Sequence, residues 1–218
     1  MFINSMNLRS QKIAGGNNLR LDKINKRGKV YFITLVAMLS ALSSILVFIG
    51  GIPIIPMATH LKVDFSEIPC LIGSIIISPS AGFLIELIKS VIGLMKTHTM
   101  GIGETMNFIV GSTLILSFSL SFKWIRKNHS LKTSFFLSYI ICMIITCSVA
   151  LITNSIVYPL FFYYMPSSAH VTKNIMTTYL LSVLIMNIIK ITVTVFISNL
   201  IIRLLKGHRS LKSVISKK

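Results

Sequence analysis

Met186-Asn187-Ile188-Ile189-Lys190 sets an amide and an ammonium three residues apart inside a run, about residues 179–205, that is otherwise almost wholly apolar. On a helix both side chains project from one face, about a turn apart. At roughly 1.5 Å per residue, Lys190 lies on the order of 20 Å from Arg203, where the run meets water. That is beyond the reach of snorkelling. A lysine at bilayer depth costs about 2.5–3.5 kcal/mol, so it faces a cavity or a partner and marks a functional site. The rest of the chain must then form a bundle around this pair.

Composition agrees with a bundle in a bilayer. Of 218 residues 53% are apolar, and the mean hydropathy is +0.80, which together indicate an integral membrane protein of one domain. The net charge of +17 arises from 22 Lys+Arg against 5 Asp+Glu. Seven of the basic residues precede Val30, six follow Ile202 and four lie in the loop 123–132. All of these fall on one side of the topology drawn below, the positive-inside pattern of cytoplasmic segments beside anionic lipid. Position therefore argues against nucleic acid as a partner.

Catalytic and metal chemistry find little support. The three cysteines (Cys70, Cys142, Cys147) are odd in number, form no CxxC and read as small core hydrophobes. The five histidines are scattered at non-ligand spacings. There is no nucleophile–base pair, no phosphate-cradling glycine loop and no paired carboxylates. The expectation is a protein that is not an enzyme and needs neither metal nor cofactor.

Residues 1–29 read as a basic cytoplasmic tail, 30–206 as the membrane-embedded domain and 207–218 as a second basic tail. The first apolar stretch, following a tail too long for a signal-peptide n-region, is a retained helix over about 30–50. It carries Ala37-x-x-x-Ala41 and, a turn away, Ser40-x-x-x-Ser44, flat strips on which another helix packs closely. A neighbour in the same bundle and an external partner explain such a strip equally well. Residues 50–69 hold three prolines and two glycines, with a polar cluster of His60, Lys62, Asp64 and Glu67. They form a loop of the length used for lids and binding segments, or else a structural hairpin.

Short apolar segments over 67–77 and 81–95 flank Ser78-Pro79-Ser80, predicting a helical hairpin in which Glu86 and Lys89 pair with each other. Glu104 suits the first turn of the helix that continues to about Phe122, and Trp124 reads as an interfacial anchor. The run 134–160 ends in a belt of aromatics, with Asn154 about a turn inside it. A neighbouring helix or a bound polar ligand would satisfy that amide equally. The count is an all-α bundle of six membrane segments with both termini cytoplasmic. Asn154, Asn187 and Lys190 then offer donors and acceptors on two helices in an otherwise apolar cavity, beneath the loop 53–66. Such a pocket suits a small ligand with an apolar body and one edge rich in carbonyls and N–H groups. Without a ligand, Glu86 is the partner expected for Lys190.

Lys62-Val63-Asp64-Phe65-Ser66-Glu67-Ile68-Pro69, Ser78-Pro79-x-Ala81-Gly82, Ile85-Glu86-x-Ile88-Lys89 and Gly103-Glu104-x-x-Asn107-Phe108 resemble the riboflavin-specific substrate-binding (S) components, the RibU type, of energy-coupling factor (ECF) transporters. The resemblance covers about residues 30–205. It implies a six-helix bundle in the bacterial cell membrane that captures riboflavin, the transported ligand, from outside. It also implies work with a transmembrane coupling (T) subunit and two cytosolic ATPases. By the same resemblance, Ala37 and Ala41 face the coupling subunit and Asn154, Asn187 and Lys190 contact the vitamin, with Leu61, Lys62 and Asp64 supplied by the loop. The long basic N-terminal tail has no counterpart in this reading. Two alternatives stand beside it: an S component for another vitamin, and a membrane scaffold whose buried polar residues only lock helix packing.

Overall fold

The computed structural model describes residues 28–53, 62–63, 65–96, 101–164 and 173–206. Helix α1 (Gly28–Ile49) stops where Gly50 takes a positive φ of 91°, a conformation open to glycine at little cost. Strands β1 (Ile52–Pro53) and β2 (Lys62–Val63) pair antiparallel, with Ile52 opposite Val63. Helix α2 (Glu67–Ile76) follows at once. Its Pro69 is tolerated because the first-turn N–H groups have no intrahelical acceptor.

Between α2 and α3 (Pro79–Gly93) the turn is as short as the sequence requires. Ser78 caps α3 by accepting from the Ala81 N–H at 3.1 Å, and Pro79 occupies the position where a missing N–H costs nothing. A short 3₁₀ turn (Leu94–Lys96) ends this arm. Helix α4 (Ile102–Ile125) begins after Gly101, again at positive φ, with Glu104 in its first turn. Helices α5 (Leu131–Tyr164) and α6 (Lys173–Lys206) complete the order. Trp124, near the end of α4, is 73% exposed.

Six helices thus appear among the described residues, and four of them, α1, α4, α5 and the described core of α6, are long and apolar enough to cross a membrane. The prediction of six membrane segments is met in part. At 10 and 15 residues, α2 and α3 reach only about 15 and 22 Å, less than the roughly 30 Å of a hydrocarbon core. The proline- and glycine-bearing stretch before α2 and the Ser78-Pro79 turn after it consume the residues that a full span would need.

Short as it is, α2 is the hub. It packs against α3, α4 and α6, and it buries every residue from Glu67 to Ser74. From α1, the Ser43 hydroxyl donates to the Ser66 carbonyl and lies 3.2 Å from Cys70 Sγ. The main core joins Leu71, Ile85, Leu114, Ile115, Phe118 and Ile191 from α2, α3, α4 and α6. Three rings, Phe118, Phe122 and Phe135, close the α4–α5 end with centroids 4.7–6.0 Å apart.

The close approach of α3 to α2 rests on Gly82. A Cβ there would fall 2.3 Å from Ser74 Cβ and 2.9 Å from the Cys70 carbonyl oxygen, contacts that rigid helices cannot relieve. Gly82→Ala should therefore cost about 1–3 kcal/mol through overpacking. Gly93, whose added Cβ would meet Val47 at an ordinary 3.7 Å, should accept alanine and gain up to about 1 kcal/mol of helix propensity. Thermal unfolding of both variants in one detergent measures the contrast; equal melting temperatures would contradict this account of the hairpin.

Candidate functional site

One stripe of α6 faces the bundle: Tyr179, Val183, Asn187, Lys190, Thr194 and Ser198 follow each other at three- and four-residue steps. All but half-buried Tyr179 are buried. Lys190 is 2% exposed and reaches across to two other helices. Its Nζ lies 2.6 Å from Oε1 of Glu67, the first residue of α2, and donates to Oδ1 of Asn107 on α4 at 2.7 Å. On α3, Lys89 Nζ meets Glu86 Oε1 at 2.6 Å, the i,i+3 pair read from the sequence.

The two pairs form one cluster. An added Cβ at Gly111 of α4 would come within 2.5 Å of Glu86 Oε1 and 2.9 Å of Glu67 Oε1. Both carboxylates therefore rest against the α4 backbone where a side chain is missing. Two buried carboxylates face two buried ammoniums, and the cluster is charge-balanced. Such a balance does little for net stability, because desolvation roughly offsets the Coulombic gain. Breaking a buried pair from one side, by contrast, costs about 3–5 kcal/mol.

Toward the other end of the stripe the site turns apolar. Val110, Ala150 and Val183 pack together from α4, α5 and α6 beside Tyr179. Asn154 of α5, 6% exposed, donates through Nδ2 to the Ala150 carbonyl at 2.8 Å, and its Oδ1 accepts from the Tyr179 hydroxyl at 2.9 Å. Asn187 repeats the first motif, donating to the Val183 carbonyl at 2.8 Å. Both amide nitrogens are turned back onto their own helices.

Asn187 and Lys190 are thus brought together on α6, and Asn154 is joined to the same helix through Tyr179. Sequence reasoning missed Glu67, Asn107, Tyr179 and Gly111. It also expected Glu86 as the protein partner of Lys190, but Lys89 holds Glu86 and the partner is Glu67. A signal was present: an ammonium buried in an apolar run favours a carboxylate partner, and the chain has only 5 Asp+Glu to choose from. Glu104 lines a groove with Leu87, Val91 and Phe108. Leu61 and Asp64 lie outside the described residues, and of Lys62 only the backbone, in β2, is described. On α1, Ala37 and Ala41 are exposed, whereas Ser40 and Ser44 are buried, so the edge of the buried face runs between the two adjacent strips.

Residues 31–202 match the family of the ECF transporter, substrate-specific component. Among curated proteins, the riboflavin transporter FmnP of Bacillus subtilis is 28% identical over 180 residues, covering 81% of this chain and 93% of that one. The riboflavin transporter RibU of Staphylococcus aureus is 30% identical over 120 residues, 55% of this chain and 62% of its own. A solved structure, described as the S component of a bacterial ECF transporter, superposes with a TM-score of 0.66 at 26% identity. It covers 82% of this chain and 97% of the solved one.

The balanced cluster carries a prediction of its own. Lys89→Met strands Glu86 and should lower stability by about 3–5 kcal/mol, whereas the double variant Glu86→Gln/Lys89→Met should recover most of the loss. Melting temperatures in detergent measure it; a double variant less stable than Lys89→Met would contradict a pairwise interaction.

Proposed function

This chain belongs to the substrate-specific components of ECF transporters, and from that premise we propose that it captures riboflavin at the outer face of the bacterial membrane and delivers it to a coupling subunit driven by two cytosolic ATPases. The family is one of transporters, not enzymes, and the protein is a membrane protein. The observation that carries the ligand assignment is the buried stripe Asn187–Lys190 on α6 with Asn154 linked to it through Tyr179, in a chain whose relatives include FmnP and RibU, named as riboflavin transporters.

Chemistry supports the fit. The pyrimidine edge of a flavin alternates carbonyl acceptors with an N–H donor, and an asparagine amide offers both functions while the lysine supplies donors. The dimethylbenzene end requires only apolar walls, which Val110, Ala150 and Val183 would provide. Riboflavin itself is the cargo in this reading, and no resident cofactor is needed. Leu61, Lys62 and Asp64 would add contacts from the segment before α2.

In the membrane, α2 and α3 act as two short spans that complete six, with both termini cytoplasmic. The basic α4–α5 connection and Arg203 near the end of α6 support this orientation. The exposed face of α1 at Ala37 and Ala41 is the face offered to the coupling subunit: a strip of small residues turned away from its own bundle suits close packing against another helix.

Purified in detergent, the chain should be yellow, with a flavin absorption spectrum at one flavin per chain. Colourless protein that takes up no added riboflavin would contradict the assignment. Ala37→Trp or Ala41→Trp should abolish riboflavin uptake by cells while leaving binding to the isolated chain within about twofold, since the strip faces outward. Loss of binding together with uptake would place the strip's role inside the bundle instead.

A further inference from the structure

Lys190 is the residue on which the ligand assignment leans most, and it is built for mobility. Its four-carbon stem has many rotamers and its charge is a compact point with no preferred direction. An ammonium that is to meet one carbonyl of a ligand has to be held before the ligand arrives, or its ordering is subtracted from the affinity. Two groups in the structure do the holding, and neither belongs to the set of residues assigned above to the ligand. Glu67 Oε1 lies 2.6 Å from Nζ, and Asn107 Oδ1 accepts from it at 2.7 Å.

We propose that Glu67 is a positioning residue for Lys190, fixing the lysine ammonium where it meets the flavin, with Asn107 as a second support. The proposal rests on the reading that Lys190 contacts riboflavin. Its geometry is independent of that reading. Glu67 is wholly buried and stands at the first residue of α2. There the backbone is tied to α1 by the Ser43 hydroxyl on the Ser66 carbonyl. Its carboxylate is seated against α4 at the side-chain-free position of Gly111. The holder is therefore rigid on two sides.

Charge supplies the second argument. A flavin's polar edge is neutral, so the ligand brings no counter-ion for the lysine. Among the described residues the other buried carboxylate, Glu86, is engaged by Lys89. Glu67 is thus what balances the Lys190 charge, both before and after the ligand enters. Connectivity supplies the third. Strand β2 ends at Val63, a few residues before Glu67, and lies against α6. The ion pair is a second tie between α6 and the chain entering α2, and it keeps the lysine in register with that segment.

A double-mutant cycle on the full chain tests this, reading riboflavin affinity and melting temperature for Glu67→Gln, Lys190→Met and both together. Glu67→Gln should weaken binding about tenfold or more, the effect of misplacing a charged donor. In the Lys190→Met background the same change should alter affinity by less than about twofold, because the group it positions is gone. The double variant, once more charge-balanced, should regain melting temperature while its affinity stays at the Lys190→Met level, a separation that a merely structural role would not give. Where Glu67→Gln fails to fold, Glu67→Asp, with the charge kept on a shorter stem, takes its place in the cycle with the same non-additivity expected. Native affinity in the Glu67 variant beside weakened Lys190→Met, or an equal loss in both backgrounds, overturns the positioning role alone. Native affinity in Lys190→Met overturns the ligand role of the lysine, and the positioning role with it.

Discussion

An ammonium buried in an apolar bundle cannot be left alone, and the contact between Lys190 and Glu67 is where this molecule meets that constraint. The pair joins the middle of α6 to the first residue of α2, and Asn107 adds α4 to the junction. Three helices are thereby fixed relative to one another. Since the net worth of a buried pair is small while the cost of breaking it is large, its contribution is to specify an arrangement more than to add stability. Any rearrangement that separates α2 from α6 exposes an uncompensated charge.

The pair falls at the start of the shortest of the six helices: Glu67 is the first residue of α2, and the proline- and glycine-bearing stretch before it holds the paired strands β1 and β2. A short α2 then needs close neighbours to be buried at all. Gly82 lets α3 approach until a methyl group would collide with Ser74, and Gly111 lets α4 approach both carboxylates. Four helices carry the length of the bundle, and short α2 carries the counter-charge that meets Lys190 of the polar stripe on α6.

Features set within one helix were legible in the sequence, because helical spacing alone determines them. The Glu86–Lys89 pair, the Ser78-Pro79 start of α3, the placement of Glu104 in a first turn and the shared face of Asn187 and Lys190 all follow from three- and four-residue steps. Features that join helices were not legible in that way. Spacing cannot say that Asn107, 83 residues from Lys190, meets it in space, or that Glu67 and not Glu86 is the lysine's partner. The two small-residue strips of α1 show the limit well. Both were visible as patterns, but only packing tells that the serines face inward and the alanines outward. The motifs of the family resemblance did contain Glu67 and Asn107, without stating what either residue does.

The central claim is that the lysine held by Glu67 is the anchor of a flavin. It is tested most directly by an experimental structure of the chain with riboflavin bound. The account predicts the pyrimidine edge within hydrogen-bond distance of Lys190 Nζ and of the Asn154 and Asn187 amides, with the Glu67 contact retained. Riboflavin lodged elsewhere, with Lys190 touching only Glu67 and Asn107, would contradict it.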